Sequence, residues 1–583
     1  MVADKIVDAA TSFFSKYIYL SDMRVLPEEY ARKALKLFLT GIILFVAIAT
    51  ISLLIKFNYV AVPFEDSETL AMVLLVFAAM PLIGISFYIF EPVFKTIDHM
   101  RGVERELPFV IALLSIYSAA NIAPSRALGL IEKHKDMFPE MSKVVRRIEK
   151  LKTLFVLEDT DAIEEEGRRV TSQILSDLLL TAASAERRGG DIYAIFKDKM
   201  KTMFEILREQ YKSLVDRMKT IGDLVLIFYG VLPLTLYVMF ALFASREVVI
   251  QSMFYSFIAN PLLGASLVFL IDHMYPKTPV KYTKYYKMLL YFVPVGVVIF
   301  AVMHFLVPQA LLHLGQVELA AKIINKDFPW TSFCIGISLA SIFVVPGLRY
   351  LRESKRLWDI DLALPSFIRD ITEEVKKGSS PSLAILNIAK MRSYGKHLDK
   401  IIKRMVEVIN VTPSIAEAYK VIRKELSWRG QLIMLLLVEA ERIGAKAEVF
   451  DEVTDVTREV INSLRIARNT TLPLRLFGLA TAAMVMGVTA MLIVQVLRPV
   501  AKMADKIYRS GAMAGMNIGL GIRLITSDIL PQLVDNILAG AMISMLILGL
   551  MTGKMAEGNL ACGYQYTVIT LLLSVVMILL FFL

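Results

Sequence analysis

The sequence predicts an all-α, polytopic membrane protein with about nine transmembrane helices and two duplicated helical-bundle domains. The first observation is composition: 56% of the 583 residues are hydrophobic and the mean hydropathy is +0.58, whereas soluble proteins contain about 45–50% apolar residues. The second is that 21% of the residues are charged, which is more than membrane helices alone would carry. The third is that two charged stretches share the same motifs, which indicates a duplicated domain.

The strongest repeated motif combines a glutamate, an arginine and a glycine. Residues 185–189 read Ala-Glu-Arg-Arg-Gly, and residues 440–444 read Ala-Glu-Arg-Ile-Gly. Each motif follows a leucine-rich run that is typical of a buried helix, and each glycine is expected to end that helix.

Prolines repeat upstream of this motif at the same spacing. Leu-Pro occurs at 107–108 and at 364–365, and each pair is expected to open a helix. Pro-Ser-x-Ala follows at 124–127 and at 381–384, where proline suits the first helical turn because its missing N–H would have no partner there. Ser380 adds an N-cap to the second copy. The matched breaks therefore predict two related bundles.

Hydropathy and charge divide the chain into segments. An amphipathic segment at 1–36 is expected to lie along a membrane surface. The predicted domains are 91–221 and 347–473, with spans one and two in 37–90, spans three to six in 222–346 and spans seven to nine in 474–583. The nine predicted spans are 37–55, 70–90, 224–244, 253–271, 289–307, 330–345, 474–496, 529–551 and 566–583.

The distribution of basic residues predicts that both domains are cytoplasmic. The formal net charge is +10, and lysine and arginine are concentrated at 24–36 and at 277–287. Cytoplasmic loops carry such an excess in membrane proteins. The Gly-rich loop at 497–528 is the exception, because it is basic although nine spans place it outside.

No enzyme chemistry is predicted. The chain lacks the phosphate-binding pattern Gly-x-x-x-x-Gly-Lys-Ser/Thr. The nearest matches to the motifs of intramembrane aspartyl and serine peptidases, at 220–223 and 508–511, each lack the first glycine. The two cysteines, Cys334 and Cys562, lie in or beside apolar segments, and the six histidines are scattered. We therefore expect no catalytic, cofactor-binding or metal-binding residues.

Four ionisable residues lie at membrane depth or at its edge: Asp223, His304, Arg475 and Asp535. A charge inside a membrane points to function by default. Asp223 and Arg475 lie within a turn of their span ends, where long polar side chains reach the interface. For His304 and Asp535, hydrogen bonding between helices is the alternative to a proton path.

The glutamates of the repeated motif have two interpretations. Glu186 and Glu441 are either surface carboxylates that pair with arginine or cap a helix, or residues that contact a partner and transmit force. In the second case the adjoining residues Arg187, Gly189, Arg442 and Gly444 belong to the same site.

The two blocks, each with Leu-Pro, Pro-Ser and Glu-Arg-x-Gly, resemble the F domain of type II secretion systems. A duplicated F domain on about nine spans is similar to the archaeal membrane platform proteins of archaella and related pili. Residues 394–398 (Tyr-Gly-Lys-His-Leu) and 439–444 are similar to the family's patterns in its second domain. The resemblance covers about 100–245 and 355–497.

This resemblance implies a non-enzymatic platform in the cell membrane, most specifically that of the archaellum. The implied partners are a cytoplasmic hexameric ATPase, pilin-like filament subunits and the lipid bilayer, with a homodimer left open and no nucleic acid. An adhesive pilus or a secretion system is the alternative within this class. A membrane transporter is the alternative outside it, although transporter repeats usually involve the spans themselves.

Basic residues of the second block form a candidate docking face. These residues are spread over the predicted helices of the block and are Lys400, Lys403 and Arg404, with further lysines and arginines at 376, 377, 423 and 424. These charges either reflect only the cytoplasmic location of the domain or steer an acidic ATPase surface toward it.

Overall fold

A computed structural model describes residues 2–23, 25–57, 67–242, 246–274, 283–313, 328–509 and 530–582. These residues form helices and connecting turns, and no strand occurs among them. The prediction of an all-α, polytopic membrane protein is confirmed. The chain divides into two compact units, Met1–Lys197 and Asp198–Leu583.

The first unit contains two long antiparallel helices and a bundle of shorter ones. Its helices are α1 (Val2–Leu20), α2 (Pro27–Lys56), α3 (Ser67–Ala119), α4 (Pro124–Glu132), α5 (Met141–Phe155), α6 (Asp159–Arg169), α7 (Gln173–Arg188) and the start of α8 (Ile192–Leu226). We call the bundle formed by the end of α3 and by α4 to α7 domain 1.

Helix α1 packs against protein along its apolar face. Phe14 and Ile18 are buried in a cluster with Tyr30 of α2. The hydroxyl of Thr96 on α3 donates to the carbonyl of Tyr17 at 2.9 Å. The apolar face of the N-terminal segment is therefore largely covered by α2 and α3, although Phe13 and Tyr19 remain partly exposed.

The second unit holds the remaining spans and a second bundle. Its helices are α9 (Leu232–Leu242), α10 (Arg246–Phe254), α11 (Asn260–Met274), α12 (Thr283–Ala301), α13 (Val307–His313), α14 (Trp330–Lys376), α15 (Pro381–Met391), α16 (Lys396–Val411), α17 (Ile415–Ile422), α18 (Trp428–Arg442), α19 (Ala447–Leu492), α20 (Arg498–Arg509), α21 (Leu530–Glu557) and α22 (Leu560–Phe582). We call the bundle formed by the end of α14, by α15 to α18 and by the start of α19 domain 2.

Eight helices in the described part of the chain are long and apolar enough to cross a membrane. They are Pro27–Ile55, Ile192–Met239, Val249–Met274, Thr283–Ala310, Trp330–Lys376, Ala447–Lys506, Leu530–Glu557 and Leu560–Phe582. Each contains or closely overlaps one of the predicted spans. The remaining predicted span, 70–90, falls on α3, where the side chains of 67–80 lie outside the described residues, and it stays a prediction.

The basic loop predicted at 497–528 begins as helix. A short π-helical stretch, Ile493–Leu497, joins α19 to α20, so the chain continues as helix to Arg509. The rest of the predicted loop, with Gly511, Gly515 and Gly519, lies outside the described residues.

The prediction that Leu-Pro opens a helix is wrong in both copies. Pro108 lies inside α3 and Pro365 lies inside α14, and both helices continue through the proline. An internal proline removes one backbone hydrogen bond and crowds the preceding turn. Each preceding leucine, Leu107 and Leu364, is fully buried, so tertiary packing outweighs this local cost. The second prolines behave as predicted, because Pro124 and Pro381 each begin a helix.

The final two helices approach each other at backbone distance. A Cβ atom added at Gly553 of α21 would lie 2.2 Å from Cα of Gly563 on α22. Such contact requires glycine on both helices, as small-residue packing in membranes generally does. Gly558, with φ of +72°, makes the turn between them. The end of the chain is thus a tight helical hairpin.

We predict that Gly553→Ala lowers the melting temperature of the detergent-solubilised chain, because the new methyl group overlaps the backbone of α22. Overpacking of this kind costs about 1–3 kcal/mol. Gly487→Ala on α19 is the matched control, since an added Cβ there meets nothing within 4 Å. Thermal unfolding that is equally unaffected by both substitutions would contradict the close hairpin.

Candidate functional site: two matched helical domains

The glutamate of the first motif fastens two helices of domain 1 together. Glu186 lies near the end of α7, and its carboxylate accepts from the backbone N–H of Ser125 at 2.9 Å and from the Ser125 hydroxyl at 2.7 Å. Ser125 is in the first turn of α4, where backbone N–H groups have no partner within the helix. The carboxylate therefore caps α4 from a different helix.

The glutamate of the second motif does the same in domain 2. Glu441, near the end of α18, accepts from the hydroxyl of Ser382 on α15 at 2.5 Å. Its other oxygen accepts from the backbone N–H of Ile415, the first residue of α17, at 2.9 Å. Each glutamate thus contacts the serine of its own Pro-Ser-x-Ala motif. Glu186 caps the helix that carries this serine, whereas Glu441 accepts only from the hydroxyl of its serine and caps α17 instead.

The neighbouring arginine and glycine have different surroundings. Arg187 is partly exposed and pairs with Asp161 and Glu164 of α6, whereas Arg442 pairs with Glu439 of its own helix at 2.6 Å. Gly189 and Gly444 have φ of +68° and +64°, the left-handed region that favours glycine. The glycines end the helices as predicted.

A second contact recurs between the long helix and an N-cap serine. In domain 1, Ser172 caps α7 and its hydroxyl donates to Glu104 of α3 at 2.5 Å. In domain 2, Ser427 caps α18 and donates to Asp361 of α14 at 2.7 Å. The two domains therefore share two side-chain contacts between helices in addition to the sequence motifs. This pair of contacts was not predicted, although a serine precedes each leucine-rich helix in the sequence.

Two buried carboxyls stand on the long helices. Burial raises the pKa of Asp361 from 3.8 to about 6, although the hydrogen bond from Ser427 and the charge of Arg429 oppose this. Burial also raises the pKa of Glu106 on α3 to about 8, against the bonds that it accepts from the backbone N–H groups of Met141 and Glu140. Each carboxyl joins a long helix to the start of another one: Glu106 joins α3 to α5, and Asp361 joins α14 to α18.

Domain 1 contains a buried ion pair between its charge-rich helices α5 and α6. The guanidinium of Arg147 on α5 donates from Nε to Glu166 on α6 at 2.6 Å, and the two side chains are 2% and 0% exposed. Arg147 Nη1 also contacts His99 at 3.1 Å. Arg147 and Glu166 are buried because α1 and α3 cover them, which the local charge pattern does not reveal.

Helix α1 completes this buried cluster. The carbonyl of Leu20 accepts from Arg147 Nη1 at 3.3 Å, and the hydroxyl of Tyr19 donates to Glu166 at 3.2 Å. Lys150 pairs with Asp22 at 3.5 Å. The C-terminal end of α1 therefore lies on α5 and α6.

The candidate docking residues lie on one side of α16. Lys400 and Lys403 are exposed, and Arg404 is 42% exposed. Arg404 forms an ion pair with Glu425. The predicted basic face is therefore present as a surface, but one of its three charges is partly neutralised within the domain.

The polar residues predicted inside the membrane lie on separate helices. Asp223 is exposed on α8. His304 lies between Phe300 and Phe305, with ring centroids 5.4 and 4.9 Å away. The backbone carbonyl of Asp535 on α21 accepts from the Ser332 hydroxyl at 2.9 Å.

A group of ion pairs and hydrogen bonds at the end of α21 was not predicted. Lys554 is almost fully buried and pairs with Asp272 of α11 at 2.7 Å. Glu557 lies 3.5 Å from Arg475 of α19 and accepts from Tyr350 of α14 at 2.9 Å. The presence of oppositely charged residues at the ends of several spans was the sequence signal that could have indicated these pairs. Together these pairs join four helices of the second unit.

Comparison with known proteins is limited to part of the chain. The family model "Type II secretion system (T2SS), protein F" matches residues 110–240. This range covers most of domain 1 and continues through α8 to α9. No curated protein and no solved structure matches the chain. Residues 110–240 are thus similar to protein F of type II secretion systems, and the second copy of the domain is defined by its matched contacts.

We predict that domain 2 becomes less stable as the pH rises from about 4 to about 6. The unfolded chain loses the Asp361 proton at its ordinary pKa of 3.8, whereas the folded chain keeps it until about 6. Folding thus binds a proton in this interval, and stability falls by about 3 kcal/mol before levelling. Asp361→Asn keeps an acceptor for Ser427 and removes this dependence. If the melting temperatures of the wild type and of Asp361→Asn change with pH in parallel, the raised pKa of Asp361 is refuted.

We also predict that Arg147→Ala destabilises domain 1 far more than Arg404→Ala destabilises domain 2. Removing Arg147 leaves the carboxylate of Glu166 buried without its partner, which costs about 3–5 kcal/mol. The pair of Arg404 is partly exposed and contributes about 0–1 kcal/mol. Hydrogen exchange of each domain measures both effects. Similar losses in the two variants would show that the pairs do not differ in burial.

Proposed function

We propose that this protein is the non-enzymatic membrane platform of an archaeal type IV pilus-like filament machine, most specifically the archaellum platform of the FlaJ type. The observation that carries the proposal is the match of residues 110–240 to protein F, together with a second domain built on the same two contacts. The platform would dock a cytoplasmic ATPase and couple its motion to the insertion of pilin-like subunits. An adhesive pilus or secretion platform is the alternative within this class.

The long helices suit a mechanical role. Helix α14 has 47 residues and α19 has 46, so each is about 70 Å long. Both run without interruption from domain 2 into segments apolar enough to cross a membrane. A push on the domain would therefore reach the membrane core through continuous helix. The contacts of Glu557 with Arg475 and Tyr350 would pass it from α19 and α14 to α21.

The occupied carboxylates also favour a non-enzymatic role. General acid–base catalysis requires a carboxyl within reach of a substrate proton. Both Glu186 and Glu441 instead use their oxygens to hold helix starts. Under this proposal the motif maintains the shape of each domain, and force passes through the helices that it holds.

We place both domains on the cytoplasmic side, and Lys400, Lys403 and Arg404 on the surface that the ATPase meets. The basic residues at 24–36 and 277–287 support this orientation through the positive-inside bias. Exposed like charges on α16 would raise the association rate with an acidic surface and make binding sensitive to salt.

The proposal predicts that the purified chain neither binds nor hydrolyses ATP but binds its cognate secretion ATPase. We expect binding to weaken as salt rises, because charge contributes to the encounter. Binding of the purified ATPase to the full chain in detergent, measured at two salt concentrations, provides the test. Failure of the wild-type chain to bind the ATPase, or ATP turnover by the chain alone, would overturn the proposal.

Orientation has a separate test by cysteine labelling. Lys150→Cys and Lys400→Cys introduce exposed thiols into a chain whose own cysteines, Cys334 and Cys562, are buried. In intact cells an impermeant maleimide should label neither site, whereas both should react after lysis. Labelling of either site before lysis would contradict the cytoplasmic placement of that domain.

A further inference from the structure

The two domains share a register on their third helix, and this register aligns Arg147 with Arg404. Both helices bury the same pattern of residues at a constant offset: Met141, Val144, Val145 and Ile148 on α5, and Leu398, Ile401, Ile402 and Met405 on α16. In that register the two arginines occupy the same position. Arg147 pairs with Glu166 on the next helix, α6, and Arg404 pairs with Glu425 just beyond the next helix, α17.

The two arginines differ in what covers them. In domain 1 the end of α1 lies on Arg147, the carbonyl of Leu20 accepts from its guanidinium, and Tyr19 donates to Glu166. The side chain of Arg147 is consequently 2% exposed. Arg404 has the same kind of partner in Glu425, yet it is 42% exposed. We call the surface around Arg404 and Glu425 the open seat.

The chain has no room for a second α1 at the matching place. In the first unit α1 precedes α2 and α3, the two helices that lead into domain 1. In the second unit α12 and α14 lead into domain 2, and only residues 275–282 separate α11 from α12. A connection this short cannot supply a 19-residue helix like α1. Among the described residues no helix takes the place of α1 beside Arg404, so the open seat is available to a helix from a partner.

Charge identifies the occupant. The open seat is flanked by Lys400, Lys403 and Lys424, against Glu407 and Glu425, so it is net basic. Helix α1 carries two lysines and two aspartates and is neutral, and in each copy it already covers Arg147. A second copy of this chain is thus a poor match, whereas a net-acidic helix satisfies both the charge and the geometry.

We propose that the open seat on domain 2 binds the C-terminal end of a net-acidic, amphipathic helix of the cytoplasmic ATPase, in the manner in which domain 1 binds α1. The guanidinium of Arg404 donates to the carbonyls that end the incoming helix, where unpaired acceptors and the negative end of the helix dipole are found. Glu425 holds the guanidinium in place. This inference rests on the proposed function and specifies the contact by which the ATPase docks.

The test separates this geometry from simple charge attraction. Arg404→Lys keeps the positive charge but replaces the planar fork of donors by a single ammonium group. We expect it to weaken binding of the purified cognate ATPase to the full chain by about tenfold or more, with the salt dependence unchanged. Arg458→Lys on α19, where an exposed arginine pairs with Asp455 away from the open seat, is the matched control and should bind as the wild type does. Equal affinity of Arg404→Lys and the wild type would overturn the inference.

Two further measurements identify the surface that binds the partner and the molecule that binds there. Hydrogen exchange of the full chain should show protection of residues 396–425 on addition of the ATPase, and binding without protection there would overturn the seat while leaving the platform function intact. If Arg404→Lys instead changes the mass of the chain's own oligomer, the occupant is a second copy and the inference is wrong. Absence of any ATPase binding by the wild type would count against the proposed function itself.

Discussion

The carboxylate of the glutamate in each Glu-Arg-x-Gly motif holds the end of one helix against the start of another. A carboxylate accepts several hydrogen bonds, and the first turn of a helix presents N–H groups that need acceptors. Glu186 meets this need at Ser125, and Glu441 meets it at Ile415. Each glutamate also accepts from a serine hydroxyl, that of Ser125 or of Ser382. Charge-assisted bonds of this kind are about twice as strong as neutral ones. Short helices that would be marginal alone are thereby fixed in one arrangement.

This constraint explains how a domain of short helices can sit on long ones and still move as a body. The serine contacts of Glu104 and Asp361 fasten the leucine-rich helix to α3 and α14, and α19 then carries domain 2 back toward the membrane. Fixed contacts at both ends leave few places for the bundle to deform. Displacement of the domain is therefore expected to become displacement of the spans, as a platform requires.

Local sequence signals were sufficient for the all-α class, the helix starts at Pro124 and Pro381, and eight helices that are apolar enough to span a membrane. They failed where tertiary packing decided the outcome. Pro108 and Pro365 lie inside helices because the packing of their neighbours outweighs one lost hydrogen bond. Arg147 and Glu166 are buried because a helix more than a hundred residues away in sequence covers them. The spacing of Lys554 and Asp272 says nothing of their contact, which depends on how two distant spans pack.

The most direct test of the shared design is a pair of double-mutant cycles, one for Ser125 with Glu186 and one for Ser382 with Glu441. Serine is changed to alanine and glutamate to glutamine in the full chain, and hydrogen exchange gives the opening free energy of each domain. The two coupling energies should share a sign, should each be about 1 kcal/mol or more, and should be similar. Coupling in one domain with none in the other would contradict the account that both are held by the same interaction.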